Sequence, residues 1–266
     1  MNIKSIFKDS LTYPTHDWDK LLTLGVLFFI VGLLSLFPSI GIALNNTILT
    51  QVLTIIGYIV SLVMSLIAMG YVLFIIRDTI NGSNKIPDLS LLKNLFGGIK
   101  IFFVAIIYYL IPSIIAILIA MGTGVINDIG RFILIYSTYG PDAVIPSSIL
   151  ANSGDIILVI IFIWIILMLI FTLFLAIAIS RMAKTSSIKS AFELSKIYSD
   201  IFKIGWVNYL LIAILYLFLL AIFFLISMVI SIIPFIGVIV VFLVLIPFFT
   251  LFSSRVLGLI YKKTIE

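Results

Sequence analysis

Gly70-Tyr71-Val72-Leu73-Phe74-Ile75-Ile76-Arg77 closes a long apolar run. Asp78-Thr79-Ile80-Asn81-Gly82 and Ile86-Pro87-Asp88 then form a polar hinge, and a short amphipathic stretch ends at Lys100, where a second apolar run begins. A chain with this order reaches the edge of a hydrocarbon layer, turns along its surface and goes back in. The same order returns between Arg181 and Lys203.

Composition agrees with that reading. Hydrophobic residues fill 63% of the 266 positions, charged residues 10%, and mean hydropathy is +1.37. Average soluble domains are about 45–50% apolar and about 25% charged, so this chain lacks the polar surface to cover a water-soluble globule. Cysteine is absent and His16 is the only histidine. That removes disulfides, thiolate nucleophiles, most zinc sites and every histidine-based triad. The net charge is +5, but the cations flank apolar runs and form no basic face for nucleic acid. They are topology signals.

Six apolar runs follow in order, at about 21–44, 52–76, 101–121, 156–179, 206–233 and 236–254. Each supplies the roughly 20 apolar residues that a hydrocarbon core of about 30 Å requires. The first is too long for a signal-peptide core and no small-x-small site follows it, so it reads as a span. Pro38 and Gly41 lie near its far end, while Pro112 and Pro247 predict kinks in the third and sixth. Residues 122–155 carry Gly122, Gly124, Gly130, Gly140, Pro141, Pro146 and Gly154 and read as an outer loop. Within it, Phe132 to Tyr136 is too short to cross and suits an interfacial or re-entrant helix. The fold expected is an all-α integral membrane bundle of six transmembrane helices in one polytopic domain.

Six spans put the N-terminus, residues 77–100, residues 181–203 and the C-terminus on one side. These segments hold three, four, five and three of the Lys and Arg residues, and only Arg131 lies opposite. The positive-inside rule therefore predicts a cell-membrane protein with both termini cytoplasmic.

A shift of 103 lays Lys93 on Lys196 and Lys100 on Lys203, and Arg77 falls one place from Arg181. Parallel two-helix repeats would produce this, with the first running from Ile3 through Arg77 and the last ending at Arg255. The positive-inside rule alone produces similar spacing, and Pro38, Pro112 and Pro234 sit at unequal depths. Both readings stand.

The linkers carry the clearest helical pattern. Lys189, Glu193, Lys196, Asp200 and Lys203 form one stripe of alternating sign, with Ile188, Phe192, Leu194, Ile197, Tyr198, Ile201 and Phe202 around the remaining arc. Such a helix lies in the membrane interface. Residues 89–100 repeat the pattern more weakly, and Ile3, Ile6, Phe7 and Leu11 share one face of an N-terminal helix. Arg77, Lys100, Arg181, Lys189, Lys196, Lys203 and Arg255 are the candidate interface anchors, each near anionic headgroups worth about 1 kcal/mol per cation. Sensing lipid, docking a partner and simply linking spans are the roles open to these helices.

Catalytic chemistry has little to stand on. No Asp, Glu, Lys, Arg or His lies inside the six apolar runs, where proton relays and ion-coupled carriers place them. Asn208 reads as an interhelical hydrogen bond, and Asn45-Asn46-Thr47 matches a glycosylation sequon. Asp128, Asp142 and Asp155 of the outer loop would serve a lipid-modifying enzyme, but their spacing fits no metal motif.

Gly70-Tyr71, Arg77, Gly82, Ile86-Pro87 and the Phe96 to Lys100 approach to the third span resemble the family known as domain of unknown function 4013, multi-pass membrane proteins found mainly in archaea. Ile86 stands where that family favours Leu. The resemblance implies a cytoplasmic-membrane location and an archaeal-type origin, and it transfers no catalytic residue. The expected function is that of a non-enzymatic membrane component without cofactors, binding lipid, a membrane protein partner or a second copy of itself through its amphipathic helices. The alternative is a permease or exporter for an apolar or amphipathic solute.

Overall fold

The computed structural model describes residues 3–140, 144 and 146–265, with backbone alone over 147–152. Every regular element among the described residues is helical. Six helical segments are long and apolar enough to cross a membrane: Trp18–Ala43, Thr47–Ile80, Leu91–Gly122, Ser153–Thr185, Trp206–Ser231 and Ile236–Lys262. The chain is a multi-pass, all-α membrane bundle. It divides into two compact units, Met1–Val104 with Ala176–Glu266, and Ala105–Leu175.

The first unit opens with α1 (Ile3–Thr12) and a 3-10 turn (Tyr13–His16). Asp17 caps α2 (Trp18–Leu34), its side chain accepting from the Lys20 N–H at 3.2 Å. The first span is not one rod as its sequence suggested. It breaks into α2 and α3 (Phe37–Ala43), because Pro38 sits in the first turn of α3, where its missing N–H is not needed. Asn46 accepts from the Leu49 N–H at 2.9 Å and starts α4 (Thr47–Ile80), so part of the apparent sequon is a helix cap.

α5 (Leu91–Gly122) also differs from expectation. Residues 91–100 are its first turns rather than a separate surface helix, since no proline lies between Leu91 and Ile101. Gly97 and Gly98 are tolerated there because they face α4. A Cβ on Gly98 would strike the Leu66 carbonyl, and one on Gly70 would strike the Asn94 carbonyl. Small residues here let two backbones touch, as membrane helices do when apolar burial cannot drive association.

The rest of this unit holds the end of α7 (Ser147–Thr185), a 3-10 turn (Ile188–Phe192), α8 (Leu194–Ile204), α9 (Trp206–Ser231), α10 (Ile236–Val240) and α11 (Ile246–Lys262). A π-turn over Val241–Leu245 joins α10 to α11. Its cause is Pro247, which has no N–H for the Leu243 carbonyl one turn back. The turn widens, with the Ile246 N–H bonding the Val241 carbonyl, and the Leu243 backbone lies against Gly25. The core gathers Tyr13, Leu21, Leu24, Leu27, Ile67, Ala68, Tyr71, Ile75, Ile86 and Leu251.

The second unit takes the remainder of α5, α6 (Val125–Tyr139) and the first part of α7. α5 continues through Pro112. Within the unit the Trp164 indole donates to Ser113 Oγ at 3.4 Å, and Tyr109 and Thr172 share a hydroxyl bond at 3.2 Å. Phe132 to Tyr136 belong to α6, whose 15 residues span only about 22 Å at 1.5 Å per residue, too short to cross the hydrocarbon core.

Candidate functional site: arginine networks around the 81–90 segment

The N–H groups of Asn81 to Ser83 still bond α4 carbonyls and the Ser90 carbonyl accepts from Asn94, but the carbonyls between them lie outside any helix, so other elements must supply donors. They do. Arg255 on α11 donates to the Ser83 carbonyl at 2.6 Å, and the Tyr13 hydroxyl to Lys85 at 3.2 Å. Lys20 on α2 donates to Ile86 at 2.6 Å, and the Tyr71 hydroxyl on α4 to Pro87 at 2.7 Å. Lys20 also pairs with Asp88 at 2.9 Å. Gly82, with φ of 85°, makes the left-handed turn out of α4. The stretch thus serves as a plug that four elements hold by its carbonyls.

Arg255 is the centre of this arrangement and only 3% exposed. Its Nε donates to Asp9 Oδ1 at 2.7 Å, and its Nη2 to Asp9 Oδ2 at 3.3 Å and Asn84 Oδ1 at 2.6 Å. Nη1 also reaches Thr79 Oγ1 at 3.4 Å, and the guanidinium lies 4.8 Å from the Tyr13 ring centre. Burial pushes the Tyr13 phenol well above its usual pKa, and the Arg255 charge only partly offsets this.

Arg181, near the end of α7, is built the same way. Nη1 donates to Asp200 Oδ2 at 2.5 Å, Nη2 to Glu193 Oε2 at 2.8 Å and Nε to the Ser190 carbonyl at 3.4 Å. Tyr261 on α11 donates to the same Asp200 oxygen at 3.2 Å, so α11 links the two networks. Arg255 engages Asp9 with both carboxylate oxygens, whereas Arg181 divides its fork between Asp200 and Glu193; charge-assisted bonds of this kind are the strong class. They also make a cation tolerable at the end of an apolar helix.

The candidate anchors therefore separate into two groups. Lys100, Lys189, Lys196 and Lys203 are exposed, whereas Arg181 and Arg255 are buried in the protein's own networks; Arg77 is half-buried. The linker after α7 differs as well. Its single stripe is broken at Glu193, where the 3-10 turn gives way to α8. Asp200 turns inward to Arg181, and the apolar arc divides into two faces. Ile197, Ile201 and Ile204 are buried, while Leu194, Tyr198 and Phe202 are 61%, 53% and 69% exposed.

Other sequence candidates fall outside these networks. Asn208 donates to the Ile204 carbonyl of its own chain turn at 3.4 Å, not to another span. Asp128 accepts from Ser153 Oγ at 2.7 Å and lies 4.0 Å from Arg131. Asp155 is exposed, and Asp142 lies outside the described residues. Among the described residues no three His, Cys, Asp or Glu side chains group to hold a metal. The carboxylates that matter, Asp9 and Asp200, were legible only as polar-face residues of amphipathic helices.

Glu193 gives one pH prediction. Hydrogen bonds from Lys196 and then Arg181 hold its carboxyl below the usual 4.5. A lowered folded-state pKa contributes stability that is full above the unfolded value and lost as pH falls through the folded one. Melting temperature should therefore fall below about pH 4.5, and Glu193→Gln should flatten that fall; an identical acid limb in the variant would contradict it.

The profile of the family described as protein of unknown function (DUF4013) matches residues 53–235, more than half of the chain. No curated protein and no solved structure matches it significantly. The matched region holds the α4–α5 crossing, the plug, and Arg181 with Glu193 and Asp200, and it stops before Arg255. With its membrane-helical fold and this match, the chain belongs to the DUF4013 family of proteins of unknown function.

Proposed function

We propose that this protein is a non-enzymatic multi-pass component of the cell membrane that binds lipid or a protein partner through α8, with both termini in the cytoplasm. The two-faced construction of α8 carries the reading. Ile197 and Ile201 fix one face to the protein, and the Arg181–Asp200 pair pins the helix in place. Leu194, Tyr198 and Phe202 are left facing outward beside exposed Lys196 and Lys203. Apolar side chains edged by lysines suit the headgroup–acyl boundary or an amphipathic partner helix. The exposed strip continues into Val207 and Leu210 of α9, which favours a position at the bilayer edge. The one-sided distribution of Lys and Arg supports the cytoplasmic assignment.

A photo-crosslinking residue at Tyr198 or Phe202, activated in intact membranes, tests this. Adducts with lipid or a distinct protein are expected at both positions and absent at buried Ile197. Recovery of the uncrosslinked chain alone from both exposed positions would contradict it.

A second reading, a permease for an apolar or amphipathic solute, is favoured by the π-turn at Val241–Leu245, since such turns often mark functional sites. Solute flux into liposomes carrying the protein would support it. A broad panel without flux would remove it.

A further inference from the structure

Arg77, Arg181 and Arg255 stand near the ends of α4, α7 and α11. Two of them receive a carboxylate from a short surface helix: Asp200 of α8 for Arg181 and Asp9 of α1 for Arg255. The third receives none. After α4 the chain forms no such helix, and the acid that follows in the plug, Asp88, pairs with Lys20. Asp78, the next residue along α4, feels the Arg77 charge but lies beyond ion-pair distance of it. No carboxylate lies within ion-pair distance of Arg77 among the described residues.

Arg77 is nevertheless held still. Its Nε donates to the Ala183 carbonyl at 3.0 Å, its Nη2 donates to the Ser186 hydroxyl, and the guanidinium lies 5.7 Å from the Phe74 ring centre. All three contacts are neutral, and Nη1 has no partner among the described residues. Ser186 adds a second, independent observation. It is the first residue past α7 and sits at φ 61°, a left-handed position where glycine is favoured. Its N–H bonds the Met182 carbonyl at 2.9 Å. A serine kept in that conformation retains a hydroxyl beside Arg77 at a backbone cost glycine would avoid. Lys184, in the last turn of α7, and Lys189, in the 3-10 turn that follows, are exposed, without a carboxylate within ion-pair distance among the described residues.

We propose that Arg77, Ser186 and Lys184 form a binding position for a phosphate oxyanion, supplied by an anionic lipid headgroup or as free phosphate. A fixed guanidinium fork with an open edge, a hydroxyl and the ammonium of Lys184, the residue after the Ala183 carbonyl that Arg77 holds, match the oxygens of a phosphate group. The lipid source rests on the proposed reading that this end meets the headgroups; the anion chemistry does not.

The full chain, reconstituted in phosphatidylcholine doped with phosphatidylglycerol, is extracted and its retained lipid measured by native mass spectrometry. A second arm measures melting in detergent with and without inorganic phosphate. Wild type should retain phosphatidylglycerol selectively. Arg77→Gln should lower that retention by about tenfold or more, and Arg131→Gln should leave it unchanged. Ser186→Gly should lower retention while melting at the same temperature or higher, a split that a purely structural serine would not give. A phosphate-dependent melting shift without lipid selectivity, abolished in Arg77→Gln, supports the site with free phosphate as its source. Equal retention and equal melting shifts in wild type and Arg77→Gln overturn it. Should that variant fail to fold, unchanged retention in both Ser186→Gly and Lys184→Gln overturns it instead. Crosslinking from Tyr198 does not depend on Arg77, so failure of the α8 reading and failure of this site are separable.

Discussion

Arg255→Met is expected to destabilise the folded chain by about 3 kcal/mol. Removing one partner of a buried ion pair costs about 3–5 kcal/mol, because the groups left behind lose their donor. Here the Ser83 carbonyl, Asn84 Oδ1 and the Asp9 carboxylate are all stranded. The Asp9 side chain is 45% exposed, so water recovers part of its loss and the lower end of that range applies. Asp9→Asn should cost about 1 kcal/mol by the same argument, and the double variant should fall short of the sum, since both act in one network. Arg255→Lys keeps the charge but not the fork and should recover less than half. Thermal unfolding in detergent of wild type and the four variants is the check. Additive losses would mean that Arg255 and Asp9 act independently.

Gly98→Leu should have a comparable or larger effect, through packing rather than charge. The Leu66 carbonyl occupies the space a side chain would need, and it is backbone, which cannot rotate aside. The α4–α5 crossing must therefore open, separating Gly70 from the Asn94 carbonyl and loosening the core around Ile67, Ala68 and Tyr71. Overpacking typically costs about 1–3 kcal/mol, and a main-chain collision belongs at the upper end. Gly130→Ala is the contrasting case. It lies inside α6 with nothing within 4 Å of a new Cβ, so the helix preference of alanine should make it neutral or stabilising by up to about 1 kcal/mol. Equal melting of wild type and Gly98→Leu would show that the crossing is not tight.

The spans were legible because each is a long uncharged run bounded by polar residues, and Arg77 and Arg181 mark such bounds. What the runs did not reveal was continuity. Pro38 stands in the first turn of a new helix, whereas α5 runs on through Pro112, and the apolar pattern around each residue does not tell the two cases apart. Residues 91–100 looked like a surface element because Lys93 and Lys100 oppose apolar residues. The close approach of Gly70 to Gly98 instead carries them straight into α5. The networks were least visible. Asp9 and Arg255 are 246 positions apart, and periodicity can show that Asp9 lies on a polar face but not which cation it meets. Tyr13, Lys20 and Tyr71 hold the plug through backbone carbonyls, which leave no signature in side-chain chemistry.

In the proposed function α8, the plug and both termini occupy one cytoplasmic face of a six-span bundle. The absence of native cysteine makes a direct test simple. Lys196→Cys, Lys263→Cys and Ser137→Cys are each labelled with a membrane-impermeant maleimide in sealed, right-side-out membranes and again after permeabilisation. Position 137 is expected to label at once, whereas 196 and 263 label only after permeabilisation. Immediate labelling at 196 or 263, or protection of 137 until the membrane is opened, would contradict it.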